Sequence, residues 1–198
     1  LELVVADVSQ RLFSRALAWV VLVMIWGSMR RDDVQSTLPH RTTLSNYGLR
    51  MVLGKSKTSG PDKIQKEVSV HVYRTVSLTG EDWLGIGYRL WDDEPFNYRR
   101  DFLVMEPTAD WTSAKRKFVT PSGLSSLISK LLSDLPVPRK QGDMWVANTG
   151  GLLLPDGLET HFTGHSPRNF LTSVAAAIGF HKDQRAYLGR WAMGMVAS

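Results

Sequence analysis

Residues 16–26 form an unbroken run of eleven apolar side chains. A run with no polar face predicts a helix buried on every side. Asp7 or Ser9 supplies an N-cap, and the helix is expected to reach about Met29. Eleven residues fall short of the roughly 20 that a bilayer-spanning helix needs, so the run reads as core. Glu2 and Asp7 upstream, without a small-residue cleavage site, argue against a secretory signal.

Further along the chain the period changes. Residues 42–53 carry Leu44, Leu49, Met51 and Leu53, and residues 67–76 set Val68, Val70 and Val72 against His71 and Tyr73. Both stretches read as strands. Between them, Gly54-Lys55-Ser56-Lys57-Thr58-Ser59-Gly60-Pro61 is a turn exposing two lysines. It lacks the order of a P-loop.

Residues 81–118 are the least regular part. They hold Trp83, Tyr88, Trp91, Phe96, Tyr98, Phe102 and Trp111 and end on Lys115-Arg116-Lys117. Basic residues among rings can follow a nucleic-acid backbone, and packing under a long connection explains the rings equally well. Thr120-Pro121 opens another helix with Leu124, Leu127, Ile128, Leu131 and Leu132 on its apolar face, ended by Pro136 and Pro138. Residues 143–154 can hold a short strand, and Pro155-Asp156-Gly157 turns the chain. The last third repeats Phe170, Leu171, Val174, Ala175 and Ile178 at helical spacing, which predicts a buried face. Gly179 stops that helix and another follows. The pattern as a whole predicts a mainly α chain with a small antiparallel β-sheet, an α+β fold in one domain over residues 1–198.

Composition adds limits to that picture. A hydrophobic share of 43% and a charged share of 22% are ordinary for a globular chain of 198 residues. The net charge of +5 and pI near 9.6 point toward a polyanionic partner. The absence of cysteine excludes disulfides and thiolate zinc sites.

Chemistry concentrates at two places. Arg30 and Asp33 follow the buried helix, where an arginine can face a ligand while the carboxylate orients it or caps the next turn; a solvated charge cluster closing the helix is the other reading. His165-Ser166-Pro167-Arg168 opens the late apolar helix, with Ser166 as a cap and Pro167 in the first turn. A His and an Arg at the mouth of a helix suit a phosphate, and a helix cap with two solvated side chains is the alternative reading. Lys57 in the strand turn can reach a phosphate or protonate a leaving oxygen. His161 and His165 are four apart, but the zinc-protease glutamate is missing between them, so no metal site is assigned.

With Arg30, Lys57, His165, Arg168 and Trp191 in this order, the chain resembles the catalytic domain of the tyrosine recombinases of phage-integrase type. That family has Gly-x-Arg-x-x-Glu/Asp after a buried helix, similar to 27–33 here if the glycine slips by one position. A lysine in a hairpin turn corresponds to Lys57-Thr58, and His-x-x-Arg to His165–Arg168. The His or Trp of the following helix corresponds to Trp191 in Leu-Gly-Arg-Trp. The resemblance covers nearly the whole chain. It leads us to expect a fragment that lacks the family's N-terminal DNA-clamping domain. The opening on Leu1 rather than Met agrees with that expectation.

The resemblance implies site-specific DNA breakage and rejoining through a 3′-phosphotyrosyl intermediate. Arg30 and Arg168 would fork onto the non-bridging oxygens. Lys57 would act as general acid, His165 would hold the phosphate and exchange a proton, and Trp191 would donate its indole N–H. Asp33 would support Arg30, and Lys55, Lys115, Arg116, Lys117 and Arg190 would contact double-stranded DNA. No cofactor or divalent ion enters this scheme. Self-assembly on DNA as a tetramer and an intracellular place with the DNA, not secretion, are implied as well. The nucleophilic tyrosine is expected beyond Ser198, because Tyr187 lies on the wrong side of Trp191. A DNA-binding relative without catalysis is the alternative, and in either case the fragment alone should not cleave.

Overall fold

A computed structural model describes residues 1–55, 67–163 and 165–189. The chain begins with α1 (Glu2–Ala6), α2 (Leu12–Trp26) and α3 (Arg31–Gln35), then builds an antiparallel sheet from β1 (Thr43–Leu44), β2 (Gly48–Leu53) and β3 (Val68–Tyr73). Helix α4 (Trp83–Arg89), the hairpin of β4 (Met105–Pro107) and β5 (Ala114–Phe118), and helix α5 (Pro121–Ser133) follow. A second hairpin, β6 (Pro136–Gln141) with β7 (Met144–Leu152), leads to α6 (Ser166–Ala177) and α7 (Lys182–Leu188). The expected α+β class is observed. No helix among the described residues is long and apolar enough to cross a membrane.

Helix α2 is the core, as its unbroken apolar run dictates. Ala18, Val20, Val23 and Met24 have no exposed surface. Helices α1, α4, α5 and α6 all pack on it, and the Trp19 indole donates to the Leu84 carbonyl at 3.1 Å to seat α4. The helix starts later than Asp7 or Ser9. The Asp7 carboxylate instead accepts from the Ser9 N–H, the Ser9 hydroxyl and the Gln10 carboxamide at 2.9, 2.7 and 3.1 Å. That turn separates α1 from α2. The carbonyl of Trp111 then serves the first turn of α2, taking the Phe13 N–H at 3.1 Å.

In the three-stranded sheet, Leu49 faces Val72 and Met51 faces Val70, all buried against the helices. Arg50, Ser69, His71 and Tyr73 lie on the solvent side. The predicted strand over 42–53 divides into β1 and β2, which pair as a hairpin of their own. Helix α5 forms as read: the Thr120 hydroxyl accepts from the Gly123 N–H at 3.1 Å, and Leu124, Ile128, Leu131 and Leu132 are buried. Pro136 and Pro138, read as helix terminators, belong to strand β6. That strand pairs only with β7 in its sheet, where a missing N–H is tolerated.

Residues 81–118 are more ordered than the pattern suggested. Trp83, Phe96 and Trp111 are buried. Arg100 lies over the rings of Trp91 and Tyr98 at 5.6 and 4.7 Å and donates to the carbonyls of Phe96 and Tyr98. Packing therefore accounts for most of these rings.

Helix α6 departs most from the pattern. Phe170, Val174 and Ile178 are 45%, 43% and 66% exposed, while Arg168, Thr172 and Ala175 are buried. The helix is turned so that Arg168, Thr172 and Ala175, four and three residues apart, face inward.

Gln35, on α3, ties the first helices to the β4–β5 hairpin. Its carboxamide oxygen accepts from the Val104 N–H at 2.8 Å, and its amide nitrogen donates to the carbonyls of Val104 and Val119. A buried side chain here takes the place of a strand residue at the hairpin base. Gln35→Met keeps the volume and removes the side-chain partner of the Val104 N–H and the Val119 carbonyl, while the Val104 carbonyl keeps the Val119 N–H. It is expected to cost about 2–4 kcal/mol, read as a lower urea midpoint with an unchanged slope. A cost near zero would remove the tie.

The turn of that hairpin is held by Asp110, which accepts from the Thr108 and Thr112 hydroxyls at 2.7 and 2.8 Å. These bonds, that from Thr108 foremost, keep its carboxyl well below the usual range, at about 2. The turn sets Trp111, with φ of 61°, edge-on to Phe13 at 5.4 Å. A depressed folded pKa makes this contribution present above the ordinary carboxylate value and lost as pH falls toward 2. An NMR titration should give Asp110 a midpoint near 2; an ordinary midpoint would contradict the turn's hydrogen bonding.

Candidate active site

The end of α2 is shaped to deliver Arg30. The Gly27 N–H donates to Val23 at 2.8 Å and the Met29 N–H to Met24 at 2.8 Å, closing the helix tightly. A Cβ on Gly27 would lie 2.8 Å from the Val23 carbonyl oxygen and 3.0 Å from Val70 Cγ1, so the helix end presses directly on the sheet. Ser28 stands two before Arg30, where the resembled motif has its glycine. It holds φ of 46°, a left-handed backbone that glycine favours. The slip in the motif thus has a structural counterpart, because the conformation stays at the motif position while the glycine sits one residue earlier.

Asp33 is 5% exposed and does two things. Its Oδ2 accepts the main-chain N–H of Arg30 at 3.1 Å, capping α3. The same oxygen lies 3.6 Å from Nη1 of Arg168, across most of the chain in sequence. The sequence reading offered Asp33 as a partner of Arg30 or as a cap of the next turn; the structure shows the cap and adds the contact with the second arginine. Arg168 is 7% exposed, and its Nη2 donates to the carbonyl of Gly189 at 2.6 Å. One guanidinium therefore joins the start of α3, the first turn of α6 and the end of α7. Gly189 was missed by the sequence reading, since a main-chain carbonyl carries no residue-type signal.

His165 precedes α6 and is exposed. Its N–H donates to the Thr163 hydroxyl at 3.3 Å. Ser166 was read as the cap, but it is the first helical residue, and its hydroxyl accepts the Thr163 N–H at 2.9 Å. Arg30 is half-buried. The structure thus brings Arg30, Asp33 and Arg168 to one place, with His165 three residues before Arg168. Lys57, Arg190 and Trp191 lie outside the described residues. His161 ends a short 3-10 turn, Leu158–His161, and His165 belongs to the next element, so the two do not share a helix face. No group of three or more His, Cys, Asp or Glu side chains suited to a metal occurs among the described residues.

The proposed DNA contacts fare unevenly. Lys55 is exposed just past β2, and Lys115, Arg116 and Lys117 are exposed on β5. Two of those three are already neutralised: Arg116 pairs with Glu94 at 3.1 Å and Lys117 with Glu106 at 2.9 Å. Arg116 also lies 5.0 Å from the Tyr98 ring centre. Charge runs that look basic in sequence lose much of their field when acidic neighbours fold beside them.

Removing one partner of a buried ion pair strands the other. Asp33→Ala is therefore expected to lower stability by about 3–5 kcal/mol, measured by denaturant unfolding. A loss below about 1 kcal/mol would mean that the pair behaves as an exposed one and does not fasten α6.

No family model and no curated protein matches this sequence. Solved structures do match in fold. The chain is similar to the Flpe–Holliday junction complex, with a TM-score of 0.54 and 10% identity over 100% of this chain and 43% of that one. It is similar to FLP recombinase–Holliday junction complex I, with a TM-score of 0.54 and 11% identity over 100% of this chain and 43% of that one. This chain spans less than half the length of those proteins, and at such identity the likeness is one of fold.

Proposed function

We propose that this chain is the phosphate-activating part of a DNA breaking and rejoining enzyme of the tyrosine-recombinase type. The observation that carries the reading is the junction of Arg30, Asp33 and Arg168. There the Arg30 main-chain N–H and the Arg168 guanidinium share one Asp33 oxygen, which supports the reading together with a fold similar to that of the recombinase–Holliday junction complexes.

In this reading a phosphodiester lies at the junction. Arg30, half-buried, offers its fork to a non-bridging oxygen. Arg168, oriented by Asp33 and by the Gly189 carbonyl, supplies the second positive group. The two guanidiniums would together stabilise the charge that builds on the phosphorane-like transition state. His165, exposed beside them, holds the phosphate and exchanges a proton with the attacking phenol. Lys57 protonates the leaving 5′-oxygen, and Trp191 donates its indole N–H to a phosphate oxygen. A tyrosine carried by residues after Ser198 attacks phosphorus, forming the 3′-phosphotyrosyl bond and releasing the 5′-hydroxyl. Double-stranded DNA is the substrate, and tetramer assembly on it belongs to the same proposal.

The test uses a longer chain carrying the residues after Ser198, incubated with a suicide duplex that holds the cognate site. A covalent adduct should appear on a denaturing gel and map to a tyrosine. Arg168→Ala should slow its formation by about 100-fold or more. Arg168→Lys should not restore it, because an ammonium lacks the planar fork that presents separate nitrogens to separate partners. Specific binding without an adduct would replace this reading with a non-catalytic DNA-binding relative.

A further inference from the structure

The pairing of Arg116 and Lys117 with acidic neighbours leaves open which surface meets the DNA backbone. The solvent face of the β1–β2–β3 sheet offers a different set of groups. Thr43 pairs with Arg50 across β1 and β2, and Arg50 pairs with His71 across β2 and β3. Residues directly opposite in antiparallel strands project on the same side, so these three form one row across the sheet. All three are exposed.

The row carries donors and no carboxylate. Arg50 Nη2 donates to the Ser69 hydroxyl at 3.1 Å, which steadies the fork without neutralising it. Among the described residues no carboxylate lies within ion-pairing distance of Arg50, whereas Arg41 nearby is paired with Glu67 and Arg74 with Asp82. Tyr73, 69% exposed, stands one row along, opposite Gly48, which has no side chain to cover its ring. Lys55 continues the positive charge beyond the end of β2.

We infer that the Thr43–Arg50–His71 row is a backbone-contact surface for double-stranded DNA, with Arg50 forked onto a phosphate. The inference rests on the reading of the chain as a DNA-processing protein and adds a docking surface to it. Three strands about 4.8 Å apart give a row about 10 Å wide. Each strand of a duplex presents one phosphate per about 3.4 Å of axis along a winding backbone, so the row reaches neighbouring phosphates of one strand. A hydroxyl, a guanidinium and an imidazole suit phosphate oxygens and do not read bases, so the contact positions the duplex without selecting its sequence. The same strands lead into the segment bearing Lys57, so DNA seated here is held by the two strands that flank the proposed general acid.

The test is duplex binding by fluorescence anisotropy across a salt series, with the 198-residue chain and its variants. Arg50→Ala should weaken binding about 10-fold and reduce the salt slope by about one. His71→Ala should weaken it further when combined with Arg50→Ala. Arg50→Lys should recover the slope, because it keeps the charge. Arg139→Ala, on the separate β6–β7 hairpin, should change neither. Circular dichroism of each variant checks that the exposed substitutions leave the fold intact. Binding by the native chain with an unchanged slope in Arg50→Ala would overturn the row and leave the proposed function standing. No duplex binding by the native chain would overturn both.

Discussion

A carboxylate and a guanidinium withdrawn from water together hold the two ends of this chain in one place. Asp33 and Arg168 are both nearly covered, and burial of that kind is tolerated only when the charges answer each other and the remaining donors find acceptors. Here the Arg30 N–H, the Gly189 carbonyl and the two side chains form one connected set. The buried helix α2 brings the chain to the junction from one side, and α6 meets it from the other. The proposed chemistry depends on that meeting, since neither arginine alone could surround a phosphate.

Sequence exposed the parts of the structure whose physics is local. An apolar run without a polar face can only be a central helix, and α2 is one. Thr120-Pro121 contains its own cap and first turn, so the start of α5 was legible to the residue. The alternation of Val70 and Val72 with His71 and Tyr73 gave β3 its two faces. Other features depend on partners far along the chain. The start of α2 is set by the Trp111 carbonyl, and the pairing of Lys117 with Glu106 or Arg116 with Glu94 is invisible until β4 and β5 fold together. The candidate site was read as a set of residue types in order. Its wiring, in which Asp33 reaches Arg168, needed the fold.

Helix α6 shows why periodicity alone misleads at such a place. The apolar positions Phe170, Val174 and Ile178 fit a buried stripe, and a prediction from pattern puts them inside. The inward face instead holds Arg168, Thr172 and Ala175. An inward arginine with a carboxylate and a carbonyl waiting for it outweighed the stripe, and the large apolar side chains were left at the surface. Sequence rules fail most often where a site imposes its own demands.

That choice has a mechanical consequence. Apolar contacts are non-directional, so a helix held by them alone can roll about its axis at little cost. A guanidinium that donates to one carbonyl and lies against a carboxylate has less freedom, because a roll weakens one contact or the other. The inward arginine therefore acts as an angular key for α6, and the histidine three residues before it inherits that bearing. The azimuth of His165 is thus set by charge geometry, with apolar packing left to fix only its depth.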